Sequence, residues 1–326
     1  MPATALAGQV GDRLPEMTGT VPTVQLELVT KSPVDLSTTL SPLRRGRFDP
    51  CHRHEPDGTI WRTSLLPSGA VTYRLRQLGP SVVDARAWGP GAQEFDEFLP
   101  GLLGEYDADG AAAFAPEHPK LVDAHRRFPN LRIVRTARVM ESLVPAILEQ
   151  RVHTVAAHAS WRRLVTKFGS PAPGPAPDGM RSPPTADVWR RVPSWEFHRA
   201  NVDPGRAQTV VASARVADRL EEVVGMDRQS AHRRLRAIPG FGAWTAAEVA
   251  QRALGDADAL SVGDFHLASI VGWTLLGRPL DDAAMVEYLA DLRPHRYRAI
   301  RLLEVSGQAR KPRFGPRTPL VDHRWH

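Results

Sequence analysis

The chain has 326 residues, 42% of them hydrophobic and 24% charged, ordinary values for a globular protein large enough for two or three domains. Its formal net charge is +6 with a pI near 9.9. Arginine greatly outnumbers lysine, which suits bidentate contact with phosphate. A GC-rich genome would enrich Arg, Ala, Gly and Pro whatever the function, so charge alone favours a polyanionic partner only modestly. The single cysteine, Cys51, excludes an intramolecular disulfide framework and any all-cysteine cluster. Met1 to Met17 lacks the basic and apolar regions of a secretory signal, and no apolar run reaches membrane-spanning length. The expected location is the cytoplasm.

Residues 1–22 mix Pro, Gly, Thr and Ala without periodicity and are expected to be a loose tail. From Val24 to about Trp88 the pattern is strand-like. Val24–Val29 alternates, and in Ala70–Arg76 the residues Val71, Tyr73 and Leu75 fall on one face. The turn Pro67-Ser-Gly69 joins this run to Thr59–Leu65 as an antiparallel hairpin, and Ser81–Trp88 adds a further strand. A helix over Ala92–Leu103 would cover the sheet. This N-terminal α+β unit is expected to span 23–115.

Beyond about Pro116 the chain reads as helical to residue 306. Met140–Val152 places Leu143, Ile147 and Leu148 on one side, and His153–Phe168 continues as a second helix. Residues 169–187 are too rich in Pro and Gly for a helix or central strand and are expected to be an exposed loop. Helices resume near Trp189 and over Gly205–Val224, Ser230–Ile238, Ala243–Leu254, Asp264–Leu276, Asp281–Leu292 and His295–Val305. The basic, Pro-rich segment 307–326 reads as a tail that either lies along DNA or, the favoured reading, is disordered.

The most informative stretch is Leu235-Arg-Ala-Ile-Pro-Gly-Phe-Gly-Ala-Trp-Thr-Ala246, followed by Val262-Gly-Asp-Phe-His-Leu267. Its first part reads as helix, tight turn, helix, with Pro239 opening the turn and Gly240 and Gly242 free to take positive φ. Such a turn, beside a helix N-terminus, directs backbone N–H groups at an anion and is a seat for a phosphate. A helix–helix turn without a ligand would read similarly; the flanking Leu235, Ile238 and Trp244 and the following acid favour the binding role. An isolated Asp opening a helix is usually a cap. Here Asp264 stands about two dozen residues after a DNA-backbone grip, where a carboxylate can stabilise positive charge on a sugar during glycosidic cleavage.

These residues resemble the helix-hairpin-helix DNA glycosylases, and most closely the AlkA-like bacterial 3-methyladenine glycosylases. The likeness runs from about Val134 to Ser306 and includes Leu143–Gln150, which matches the family's helix ending in Ile-Leu-x-Gln. It implies a two-lobed, mainly α-helical glycosylase fold with a small N-terminal antiparallel β domain, no cofactor, and a cleft for an extruded base. It also implies a monovalent cation, Na or K, at hairpin carbonyls near Ile238 and Phe241. Asp264 is the expected catalytic residue. Trp244, Phe265, Glu248 and His295 are the expected pocket, and Pro239, Gly240, Phe241, Gly242, Gln150 and Arg151 the expected DNA contacts.

Several departures from the family bear on substrate. Arg151 stands where an apolar wedge is usual, Glu248 replaces a pocket tyrosine, and His295 occupies the place of a large aromatic in Arg293-Pro-His-Arg296. The pocket should be more polar than the family's. Trp244 stands where bifunctional members carry the lysine that forms an imine, so the chain reads as monofunctional. The expected activity is release of an alkylated purine from duplex DNA by a monomer. The alternatives are the same chemistry on an oxidised, deaminated or bulky base, and a non-catalytic damage-binding protein.

Overall fold

The computed structural model describes residues 23–312, Asp322 and Arg324; the expected tail 1–22 and most of 313–326 lie outside the described residues. Five strands, β1 Val24–Val29, β2 His52–His54, β3 Ile60–Leu66, β4 Gly69–Gly79 and β5 Val82–Trp88, form one antiparallel sheet in the order β1-β5-β4-β3-β2. The alternation in β4 places Val71, Tyr73 and Leu75 on the apolar face, all fully buried. Helices Leu36–Leu40 and Phe95–Leu102 pack on that face through Leu36, Leu40, Phe95, Leu99 and Leu102. Each such side chain, fully buried, contributes about 1.5–3 kcal/mol.

The helical remainder holds two apolar cores. Val139–Glu149, Thr154–Phe168, Pro204–Arg215, Arg228–Arg236 and Ala243–Val249 surround one, which includes Leu143, Ile147, Trp161, Trp189, Leu235 and Val249. The second joins Phe114, Leu121 and Ile133 to Val271, Met285, Leu289 and Leu303. Chain from before the first lobe therefore completes the second, and the break between lobes falls between Leu254 and Ala257. That places the hairpin in one lobe and Asp264 at the start of the other. Helix Ala243–Val249 continues as a wider π-type turn over Ala250–Leu254, and Leu267–Val271 does the same over Gly272–Leu276. The span read as one helix over Gly205–Val224 is broken at Val216 into Pro204–Arg215 and Ala217–Glu221.

Two expectations about loops are corrected. The Pro-rich stretch 169–187 is pinned to the sheet domain: Ser170–Pro171 pairs with Arg181–Ser182, the Arg181 amide donates to Pro50 O (2.8 Å), and Thr63 Oγ1 donates to Arg181 O (2.6 Å). Met180 and Ser182 are buried. Proline removes backbone donors, and the remaining donors and acceptors are satisfied across domains instead of within a helix. Residues Gln308 to Lys311, expected in the tail, also make defined contacts with the second lobe. Ala309 packs on the second core, and the Gln308 amide donates to Asp123 at 2.9 Å.

Behind β3 lies a buried polar cluster. Arg62 donates to Leu43 O (3.0 Å), Tyr73 Oη (3.1 Å) and His52 Nδ1 (3.2 Å). Because Nδ1 accepts, His52 is held neutral. Burial and the Arg62 charge push its pKa well below 6.5. An unfolded chain would bind a proton near pH 6.5 that the native state refuses, so the stability from neutral His52 is lost as pH falls below that value. Thermal unfolding of wild type and His52→Gln across pH 5–8 should show a steeper fall below about pH 6.5 for wild type. Parallel curves would mean that His52 titrates freely in the native state.

Candidate functional site

Helix Arg228–Arg236 ends at Ala237, and the turn through Gly242 leads directly into Ala243–Val249. Ile238 O accepts from the Phe241 amide at 3.1 Å, closing the turn. Gly240 has φ +88°, and a Cβ there would sit 2.9 Å from Thr209 Oγ1, so glycine is required twice over. Gly242 differs from expectation: its φ is −82° with ψ −178°, and an added Cβ would meet open space. Its glycine relieves no strain in the protein; it leaves the backbone bare on an exposed face. Among the described residues, the N–H groups of Gly240, Gly242 and Ala243 donate to no protein acceptor. Pro239 contributes no donor and is exposed.

Phe241 is corrected as a DNA contact. Its ring is buried in the first lobe and its N–H is spent inside the turn. Gln150 acts one step back: Nε2 donates to Gly240 O (3.1 Å) and to Thr245 Oγ1 (2.9 Å), which fixes the hairpin against the end of helix Val139–Glu149. Arg151 follows, exposed and at φ +54°. A non-glycine residue in this region costs about 1–2 kcal/mol, and such strain persists where surroundings hold it.

Asp264 lies half-buried directly after Gly263, whose φ of +91° turns the chain into the next helix. Oδ1 accepts from the amides of His266 (2.8 Å) and Leu267 (2.9 Å). Oδ2 accepts from Trp244 Nε1 at 3.1 Å. The capping role and the site role are therefore filled by one carboxylate, with a different oxygen for each. The helix read as starting at Asp264 begins at Leu267 for the same reason. Oδ2 carries a single donor and retains a free lone pair.

One turn beyond Trp244, Glu248 is tied on both sides. Its Oε1 accepts from Ser261 Oγ (2.6 Å) and its Oε2 pairs with Arg252 (2.8 Å), which in turn donates to Pro42 O (3.0 Å). Burial is the largest single influence and lowers the Arg252 pKa, but Glu248, Tyr297 and Glu149 together outweigh it and hold the guanidinium above its ordinary value. Trp244 and Glu248 thus clamp both ends of segment 261–264 to one face of the hairpin helix. Ser261 and Arg252 carry no recognisable motif and emerge only from this packing.

His295 is not brought into contact with these groups. It packs edge-on to Phe114 (5.2 Å), and Arg298 Nε donates to its Nδ1 at 3.4 Å. Burial and the Arg298 charge hold its pKa below the usual range. Phe265 is 88% exposed, with Lys311 Nζ 5.7 Å from its ring centre. A cavity of about 260 Å³ is lined by Leu267, Val271, Ile300 and Leu303, and neither Asp264 nor Trp244 borders it. The apolar cavity and the carboxylate are separate features.

No protein-family model matches the chain. A curated relative from Mycobacterium tuberculosis, described as "Probable bifunctional transcriptional activator/DNA repair enzyme AlkA", is 30% identical over 309 residues and covers 90% of this chain. The chain spans 59% of the length of that relative. A 3-methyladenine DNA glycosylase from Archaeoglobus fulgidus superposes with TM-score 0.70 at 19% identity, covering 85% of this chain and 96% of that one. The chain shares the fold of that glycosylase and resembles the AlkA relative in sequence. An 8-oxoguanine glycosylase/lyase from Clostridium acetobutylicum shares the fold, with TM-score 0.67, 13% identity and coverage of 88% and 96%. Within this fold, the helix after the hairpin and Asp264 are joined by the Trp244 indole.

The two hairpin glycines separate fold from surface. Gly240→Ala should lose about 1–2 kcal/mol of stability or more, from positive φ and the Thr209 contact. Gly242→Ala should stay within about 0.5 kcal/mol of wild type. Urea unfolding of both variants measures this, and equal losses would contradict the turn geometry.

Proposed function

We propose that this protein is a monofunctional DNA N-glycosylase of base excision repair, which hydrolyses the bond between sugar and an extruded alkylated purine and leaves an abasic site. The observation that carries this reading is the Trp244 Nε1–Asp264 Oδ2 bond, which fixes a half-buried carboxylate beside an exposed turn with unspent N–H groups. The donors at Gly240, Gly242 and Ala243 suit a backbone phosphate, which sets register without reading sequence. As the base departs, positive charge builds on the sugar. A carboxylate already oriented by three N–H groups stabilises that charge without reorganising, and the free lone pair of Oδ2 can accept from the attacking water.

An alkylated purine carries its own positive charge and leaves without a second acid. It gains from aromatic faces, by roughly 0.5–2 kcal/mol; Trp244 and the exposed Phe265 are the candidates. Extrusion costs a few kcal/mol and leaves a gap in the duplex. Arg151, strained and exposed at the end of its helix, is the side chain we assign to fill it. The position two residues after Gly242 holds Trp244, so the hairpin offers no amine for an imine route. Hairpin carbonyl oxygens near Ile238 and Phe241 would supply the donors for a hard monovalent cation, which would add positive charge beside the phosphate. The protein is proposed to act on damaged duplex DNA as a cytoplasmic monomer without an organic cofactor.

A second reading keeps the chemistry and changes the base. Glu248, held rigid by Ser261 and Arg252 on the Trp244 face of its helix, is an acceptor suited to the N–H edge of an oxidised or deaminated purine. His295 would serve this reading only if the loaded site draws it in.

The test is free-base release from methylated genomic DNA, resolved by base identity. Asp264→Asn should lose release by about 10²-fold or more while DNA affinity stays within about twofold. Trp244→Phe, which removes the indole donor to the carboxylate while keeping an aromatic ring, should lose about tenfold. Undiminished release by Asp264→Asn would refute the assignment. Binding without release by wild type would favour the damage-binding alternative.

A further inference from the structure

The C-terminal segment after helix Arg296–Val305 turns back along Leu267–Leu276. Thr274 Oγ1 lies 3.2 Å from both Gln308 O and Arg310 O and accepts from the Arg310 amide at 3.3 Å. Ala309 enters the second core and Gln308 reaches Asp123. This anchoring delivers Lys311 to the other end of the same helix, where Nζ lies 2.8 Å from His266 Nδ1 and over the Phe265 ring. The His266 amide is one of the three donors to Asp264, so the ammonium sits one residue from the carboxylate of the candidate site.

Lys311 has no carboxylate within ion-pair distance among the described residues. The same holds for exposed Arg151. The buried and half-buried cations Arg45, Arg74, Arg132, Arg252, Arg296 and Arg298 are, by contrast, each paired with a carboxylate. A neutral imidazole and an exposed aromatic face hold an ammonium weakly; the ring contributes about 0.5–1 kcal/mol. A phosphate oxygen offers a charge-assisted bond instead. The His266 imidazole is kept below its usual pKa by partial burial and by Lys311, with His153 across the gap adding to the effect. His153, His266 and Lys311 therefore gather near Asp264, with His153 and His266 exposed and Lys311 half-buried, and Arg151 stands two residues before His153.

We propose that Lys311, carried by the folded-back C-terminal segment, is a second backbone grip that binds a phosphate of the strand bearing the extruded nucleotide. The proposal rests on the DNA reading above. It adds a phosphate site distinct from the hairpin, on the opposite lobe. Duplex straddling the cleft would then be held from both sides, with Asp264 between the two grips.

The experiment is equilibrium binding to a duplex containing a tetrahydrofuran abasic analogue, over a range of salt, for wild type, Lys311→Gln and Lys311→Arg. Base release plays no part in this readout. Lys311→Gln should bind about three- to tenfold more weakly, with a salt slope shallower by about 0.9, and Lys311→Arg should match wild type. Replacing single phosphates near the analogue by neutral methylphosphonate should reveal one position that weakens wild type and has no further effect on Lys311→Gln. That scan on wild type keeps the proposal testable if the Gln variant folds poorly. An unchanged slope in Lys311→Gln, or equal penalties in both proteins at every phosphate, would overturn the Lys311 site. Salt-independent binding by wild type would overturn the DNA reading itself.

Discussion

The hydrogen bond from Trp244 to Asp264 is the constraint on which the site depends. It is a contact between lobes: the indole belongs to the helix that follows the hairpin, and the carboxylate to the first turn of the second lobe. One oxygen caps its own helix and the other reaches across. In the proposed reaction, a phosphate seat at the hairpin and a sugar-facing Asp264 must keep a fixed separation for one strand to engage both, and geometry of this kind is worth several kcal/mol of a barrier. The Glu248–Ser261 bond repeats the link one turn further along the same helix. Two such bonds leave segment 261–264 little freedom to shift relative to the hairpin.

Support for this arrangement comes from polar groups that touch no expected ligand. Gln150 braces the hairpin from the end of a neighbouring helix, and Arg252 ties the Glu248 carboxylate to the β domain through Pro42. Asp258 takes a bidentate pair from Arg296, and Asp107 pairs with the fully buried Arg298, which locks the last helix to the second lobe. Buried charges of this kind contribute little net stability when paired and are costly when one partner is removed. Their value here is positional: each fixes an element whose end bears a residue of the cleft.

Charge is distributed to match. Among the described residues, Lys311 and Arg151 have no ion-pair partner, whereas buried cations such as Arg45, Arg252 and Arg298 are paired. Exposed basic groups give attraction that salt can screen, and buried pairs give orientation that it cannot. The β domain contributes to the second kind through Arg45, which pairs with Glu149 immediately before Gln150. That domain thereby steadies the loop bearing Arg151, although its sheet lies behind the site.

Much of this was legible from local pattern. Strand alternation in Val24–Val29 and Ala70–Arg76, the Pro-Gly-Phe-Gly turn and the isolated Asp264 depend on neighbours within a few residues, where periodicity, turn chemistry and spacing act directly. The sequence by itself therefore determined the α+β order, the hairpin, and the acid that follows it. Only tertiary structure decided what these residues do to one another. It spent the Phe241 ring and N–H inside the protein, left Gly242 extended, set Gln150 to brace the turn, kept His295 with Phe114, and pinned the Pro-rich loop to the sheet. It also brought Lys311 to His266 across 45 residues of chain. The physical reason is common to all of these: a side chain's partner is chosen by which surfaces packing brings within about 3 Å, and sequence distance carries no trace of that choice.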